Sequence, residues 1–533
     1  MGTKTHNNYE DLITFTRASA GHALRPVSYG AELVTNSTFD TDSDWSKGAG
    51  WSISGGKLVG TSVAAFTVAA DEISLEVGKI YQIVFDVSAV TAGSVRCGFL
   101  GGTTLLATDN LTSAQTVTVN VIPNSGNNQI FVGSAGAGFT GSVESISVKE
   151  VTFDQPDGTL TLFEHPDNIP RVEYDADGNR LGLLVEEART NLITQSEDIS
   201  GLNQATADDD VAIAPDRTQT ADKLIESTSN SVHWTYNSIS AIDNQDYTFS
   251  IYAKKSERTR LTIYPNDKAG VGFNAVYDID AGTVVSTPAQ MTTSIQDVGN
   301  GWYRCVGTWN ANTGSNTVFV RVGLVSSGTT ISYQGDGTSG LFLWGQQLEA
   351  GSFPTSYIKS NSGSTTTRSA DVASIPVADF GDNIYEGTIV YEGQDIANNY
   401  GAINSSGGFH VWFGYDGNNY IAGCYHSNTG GLTGQVYFRG DGTLETANSA
   451  TLMSGQSKAG FSYELGKSVA ICVDGQSVVE ATATVPTAYA NTDWKFVIGG
   501  ASSGATTNTS LIIKSIKYYP RRLTNAQLQD LTS

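Results

Sequence analysis

Histidine, methionine, proline and cysteine are all sparse in this chain, and positive charge is scarcer than negative. The six histidines are scattered, with no HExxH pair, and neither a GxSxG nor a Walker loop occurs, so the common signatures of hydrolases and nucleotide-binding enzymes are missing. Four cysteines (Cys97, Cys305, Cys424, Cys472) lie far apart without a CxxC spacing. Three of them sit inside apolar or aromatic strand-like runs and read as buried thiols. Thirty Lys and Arg face 53 Asp and Glu, for a net charge of −23. With no basic run to track phosphates, a nucleic-acid partner is not expected. No stretch approaches the ~18–20 apolar residues that span a bilayer, and no leader-like n-region and h-region open the chain, so membrane insertion and signal-led export are not expected.

What is present is glycine (58), abundant Ser and Thr, 20 Phe and 23 Tyr, against 3 Met and 12 Pro, the balance of many short strands joined by tight turns. The fold class expected is all-β: tandem jelly-roll β-sandwich domains, a small hairpin connector and a C-terminal lectin-like sandwich. At 533 residues about three or four domains are expected. Residues 1–30 have little periodicity and read as an arm. Residues 31–151 carry alternating runs such as Tyr81-Gln-Ile-Val-Phe-Asp-Val87 and Thr116-Val-Thr-Val-Asn-Val-Ile122, the first sandwich. Residues 152–191 form the connector, with an Asp-Gly turn at Asp177-Gly178. Residues 192–360 hold a second sandwich, with strands such as Gly301-Trp-Tyr-Arg-Cys-Val306 and Val318-Phe-Val-Arg-Val-Gly-Leu324. Residues 361–368 are a Ser/Thr/Gly-rich hinge, and 369–533 a third sandwich. The one helix expected runs over Thr524–Leu531, with Thr524 as N-cap and Leu528 and Leu531 on one face.

Three segments, Phe15-Thr-Arg-Ala-Ser19, Tyr174-Asp-Ala-Asp-Gly-Asn-Arg-Leu-Gly-Leu-Leu-Val-Glu-Glu-Ala-Arg-Thr-Asn-Leu192 and Leu343-Trp-Gly-Gln-Gln-Leu-Glu-Ala-Gly-Ser-Phe-Pro-Thr-Ser-Tyr-Ile358, the last followed by Thr366-Thr-Arg-Ser-Ala-Asp371, form an ordered series. In it the chain resembles the fibre, spike and minor structural proteins of tailed bacteriophages. Glu32-Leu-Val-Thr-Asn-Ser-Thr-Phe-Asp40, with Trp45 and Trp51 following, resembles the opening of jelly-roll carbohydrate-binding modules. The ending Ile516-Lys-Tyr-Tyr-Pro-Arg-Arg-Leu-Thr-Asn-Ala-Gln-Leu528 is similar to concanavalin A-like or laminin-G-like sandwiches. The resemblance implies a non-enzymatic virion structural protein on the particle surface, assembled in the host cytoplasm, attached to other virion proteins through its N-terminal region and often a homotrimer, whose sandwiches contact host-surface polysaccharide. The absence of coiled-coil heptads favours a compact spike or decoration subunit over a long fibre. A tailspike-type polysaccharide depolymerase and a purely architectural decoration protein are the alternatives.

Carbohydrate recognition needs flat aromatic faces for sugar rings and amides or carboxylates for hydroxyls. The densest set of such groups is His410, Trp412, Tyr415, Asn418, Tyr420 and Tyr425 in the third sandwich, with His233, Trp234 and Tyr236 a second set. The same aromatics suit a core or cross-strand pairs. Trp45 and Trp51 read as core. For metal, Asp40, Asp42 and Asp44, and again Asp175, Asp177 and Asn179, have the i, i+2, i+4 spacing that can point oxygens at a structural Ca²⁺, although solvated loops and a tight hairpin explain them too.

Overall fold

Alternation of apolar and polar residues governs this chain, and its computed structural model is nearly all strand. The described residues are 13–102, 106–376, 385–396, 411–416, 419–425, 433–440, 443–452, 456–464, 466–482, 495–499 and 510–533; for Leu106, Lys495 and the strand residues from 412 to 456, the backbone alone is described. Two compact units emerge, Pro26–Thr159 and the remainder, Met1–Arg25 with Leu160–Ser533.

The unit Pro26–Thr159 corresponds to the expected first sandwich, with wider bounds than 31–151. Two long strands, Ile80–Leu100 and Gln129–Phe153, pair antiparallel along most of their lengths, and their register shifts at four places. At one shift Gly93 (φ +74°) meets Gly138 so closely that a Cβ on Gly93 would sit 2.1 Å from the Gly138 carbonyl oxygen; only glycine fits there. Phe39, Trp45, Trp51, Ile83, Phe85, Cys97 and Val148 are among the side chains that build the core, so both tryptophans are packing residues, Trp51 stacking on Phe139 at 5.4 Å.

The larger unit holds two sandwiches. In the first, a six-stranded sheet (in spatial order Ala205–Ala212, Ala221–Glu226, Gly340–Ala350, Asp246–Lys255, Trp302–Asn310, Met291–Asp297) is accompanied by a five-stranded sheet (Trp234–Ile239, Val318–Val325, Arg260–Pro265, Ala275–Asp278, Thr283–Ser286). Their inward residues, including Phe249, Ile251, Leu261, Ile263, Val320 and Val322, form one buried cluster. The C-terminal sandwich has two seven-stranded sheets. One joins the hairpin Arg171–Tyr174 and Arg180–Val185 to Leu511–Tyr519, Glu386–Asp395, Gln456–Glu464, Ser468–Val473 and Val479–Thr482; the other begins Thr14–Thr16, Val372–Pro376, Lys495–Ile498, Val411–Asp416. The helix Asn525–Thr532 is capped by Thr524, whose side chain accepts from the Gln527 N–H while the Gln527 side chain returns to the Thr524 backbone, and Leu528 is fully buried.

Three expected boundaries are corrected. The arm is no arm from Thr14 onward: Thr14, Phe15 and Thr16 pair with Ser374, Ala373 and Val372, and Phe15 is buried in the C-terminal core. The connector is a sheet component, since Leu183–Val185 pair with Ile513–Leu511. The hinge ends in a strand, Thr366–Arg368, paired with Arg189–Asn191. Pairing between strands hundreds of residues apart leaves no local periodicity to read, which is why the sequence of the arm and the hinge shows no strand and that of the hairpin shows no sheet to join.

Where these segments converge lies a buried ion cluster. Asp371 contacts Arg17 (3.2 Å) through one oxygen and Arg171 (2.5 Å) through the other, and the second oxygen also accepts the Glu186 N–H (2.9 Å). Glu186 meets Arg171 (2.9 Å) and Arg368 (3.5 Å) and accepts from both Ser356 N–H (2.7 Å) and Oγ–H (2.6 Å). Arg17 spends further donors on the carbonyls of Ser19, His165, Pro166 and Ile169. All five charged side chains are at most 1% exposed, so removal of one partner strands a buried charge. Burial raises the Glu186 carboxyl, but Arg368, Arg171 and Ser356 outweigh it and hold the pKa at about 2.

Candidate functional site

The five-stranded sheet of the middle sandwich turns one face to its core and the other to solvent. On its second strand, Val318–Val325, the side chains of Val318, Val320, Val322 and Leu324 point inward, so Phe319, Arg321 and Gly323 point out. Arg321 lies directly across from Tyr236 on one neighbouring strand and from Tyr264 on the other, and Trp234 lies opposite Gly323. The pleat therefore gathers Trp234, Tyr264, Phe319 and Arg321 on one patch.

These four residues line a cleft of about 520 Å³, rimmed by Asn266, Asn316, Thr317, Gly270 and Gly272. The Arg321 guanidinium sits 5.4 Å from the Trp234 ring, 5.6 Å from Tyr264 and 5.1 Å from Phe319, all within cation–π range. Trp234 and Tyr264 meet edge to face at 6.0 Å, and Tyr236 meets Phe319 the same way at 5.9 Å just outside the cleft. Asn266 is clamped: its amide donates to the carbonyls of Asp267 and Thr317, and its oxygen accepts from the Phe319 N–H (3.0 Å) and from Arg321 Nη1 (3.4 Å). Gly272 gives Tyr264 its place, since a Cβ there would come within 2.7 Å of the ring. Burial among the rings lowers the Arg321 pKa, without removing the charge of a guanidinium at neutral pH.

The sequence-based candidates fare unequally. Trp234 lines the cleft and Tyr236, 38% exposed, stands beside it. His233 is corrected: it is 1% exposed on the opposite side of the strand, its ring nitrogens against the carbonyls of Gln204 (2.6 Å) and Tyr333 (3.3 Å), so it cannot touch a glycan. His410 and Asn418 lie outside the described residues; Trp412, Tyr415, Tyr420 and Tyr425 fall on the strands Val411–Asp416 and Asn419–Tyr425, described as backbone, with Trp412 paired to Ala422 and Val497. Tyr264, Asn266, Asn316, Thr317, Phe319 and Arg321 were not singled out in the sequence. The alternation Val318-Phe-Val-Arg-Val-Gly held the signal for two of them, because a strand with valines on one face must present Phe319 and Arg321 on the other.

The candidate calcium ligands of both sets have partners within their own loops. Asp40 accepts from Thr38 Oγ (2.7 Å), Asp42 pairs with Lys47 (2.7 Å), and Asp44 accepts from Ser43 Oγ. Asp175 accepts from the backbone N–H of Asp177 (3.0 Å) and Asn179 (2.8 Å) and from the Asn179 amide (2.9 Å), which closes the hairpin turn internally. Among the described residues no group of three or more His, Cys, Asp or Glu side chains could hold a metal ion.

Fold and cleft together define an all-β, multi-sandwich protein with an aromatic, arginine-bearing cleft on an outward sheet face. No family model and no curated protein matches the chain. Among solved structures it is similar to the tandem CBM22-1–CBM22-2 domain of Xyn10C from Paenibacillus barcinonensis (11% identity, TM-score 0.19, covering 60% of this chain and 97% of that one). It is also similar to an anti-sigma factor domain-containing protein (11% identity, TM-score 0.14, 64% and 97% covered). Such loose overlaps carry no function, which rests on the cleft.

Proposed function

We propose that this chain is a non-catalytic, carbohydrate-contacting structural protein of a tailed-phage particle, and that it touches host-surface glycan through the cleft of its middle sandwich. The observation that carries the binding half is the cleft itself: the rings of Trp234, Tyr264 and Phe319 and the clamped Asn266 amide around a concavity of about 520 Å³ suit the apolar face and hydroxyl edge of a sugar. The virion half rests on the ordered series of segments shared with phage structural proteins. The buried ion cluster fits a structural role, since it occupies the conspicuous Glu186 with two guanidiniums and Ser356.

The test is a glycan array of host-type polysaccharide fragments probed with the whole protein and with Trp234→Ala and Tyr264→Ala. Binding by the wild type that falls at least about tenfold in both variants supports the reading. Binding unchanged in folded variants removes the cleft from it, and oligosaccharide release from the same polysaccharides would replace binding protein by depolymerase.

A further inference from the structure

We infer that the cleft selects acidic sugars, those carrying a ring carboxylate such as a uronate or a sialate, and that Arg321 reads the carboxylate. This inference rests on the carbohydrate reading above and names its ligand class.

Arg321 is a cation placed among rings rather than beside an acid. Among the described residues it has no carboxylate partner, and none of the residues lining the cleft is acidic. A surface arginine in a chain of net charge −23 would readily find a carboxylate; Arg258, Arg260 and Arg522 each do. Arg321 instead lies over the rings of Phe319, Trp234 and Tyr264, with one nitrogen, Nη1, directed to the Asn266 oxygen at 3.4 Å. That contact engages one nitrogen, and the three rings surround the group. The guanidinium keeps further N–H groups in a planar fork, the geometry that a carboxylate accepts in two parallel hydrogen bonds.

A neutral sugar would use the rings but leave this fork to water. An acidic sugar uses both: its ring stacks on an aromatic face while its carboxylate takes the fork inside a partly dehydrated cleft, where a charge-assisted bond is strengthened.

The experiment uses the full chain and matched pairs of oligosaccharides containing galacturonate, glucuronate or sialate, each beside its carboxyl-reduced neutral counterpart, with binding measured by calorimetry. The acidic member of at least one pair is expected to bind about tenfold or more tightly than its neutral partner. Arg321→Gln is expected to erase that difference, and Arg321→Lys, which keeps charge without the fork, to restore part of it; a thermal melt confirms that each variant is folded. Equal binding of both members by the wild type, or a preference that survives Arg321→Gln, overturns acid recognition and leaves the carbohydrate reading standing. Binding of no member of any pair overturns both.

Discussion

Half-buried Glu173 and buried His22 lie near one another's segments and carry opposite instructions for pH. Burial pushes the Glu173 carboxyl up to about 8 from 4.5, so the folded chain holds a proton that the unfolded chain releases above about 4.5. Its contribution to stability therefore falls as pH rises from about 4.5 to about 8 and is level beyond. Burial drives His22 down to about 3 from 6.5, with its Nδ1 at 2.9 Å from the Tyr357 carbonyl; the unfolded chain takes up a proton that the folded one refuses, so stability falls as pH drops through that window. A melting temperature that declines between pH 6.5 and 8 is expected for the wild type, with the decline removed by Glu173→Gln. A Glu173→Gln melting curve that tracks the wild type across that range would refute the assignment. At the ion cluster, Asp371→Ala leaves two buried guanidiniums without their shared partner and is expected to destabilise the larger unit by about 3–5 kcal/mol, read as a shift in denaturation midpoint.

At the level of elements, what the sequence showed depended on how local each signal was. The helix was legible because its cap and its apolar pair, Thr524, Leu528 and Leu531, lie within eight residues. Thr524→Ala is expected to cost about 1 kcal/mol, seen as faster amide exchange in Asn525–Thr532. Strands with strict alternation, such as Val318–Val325, are legible as strands, yet outward residues spaced two apart form no contiguous cluster such as His233-Trp-Thr-Tyr236. A cleft assembled from three strands and two loops has no signature along the chain: Tyr264 and Arg321 become neighbours only through register. The side of a strand on which His233 sits was likewise undetermined until Trp234 could be seen facing out. The glycine pair was also beyond reach, since Gly93 and Gly138 matter only to each other. Gly93→Ala is expected to lower the stability of the unit Pro26–Thr159 by more than about 1 kcal/mol, because the left-handed backbone and the close carbonyl both oppose a methyl group.

For the whole molecule, the all-β, multi-sandwich character followed from composition, while the boundaries did not. The ordered segments that carried the phage resemblance have a physical role in common, because each of them, and the stretch 366–371 that follows, supplies at least one of Arg17, Glu186, Ser356, Arg368 and Asp371 to one buried cluster. Their pattern is therefore a mark of shared assembly within the chain and bears no direct relation to ligand. Removal of residues 1–19 takes away both the Thr14–Thr16 strand and Arg17, and is expected to lower the melting temperature of the C-terminal sandwich while the unit Pro26–Thr159 melts unchanged in a domain-resolved scan. A single unaltered transition for that sandwich would contradict the pairing.

That pairing also sets a timetable. Arg17 and Asp371 are 354 residues apart, and at roughly 5–20 residues per second a ribosome needs about 20–70 s to deliver the second after the first. Through that interval Pro26–Thr159 can complete its own sheets, but the Thr14–Thr16 strand has no edge to join and Phe15 no core to enter. The C-terminal sandwich can thus close only after nearly the whole chain has emerged, so a ribosome that stalls anywhere before Val372 leaves a product whose first strand is still waiting for its sheet.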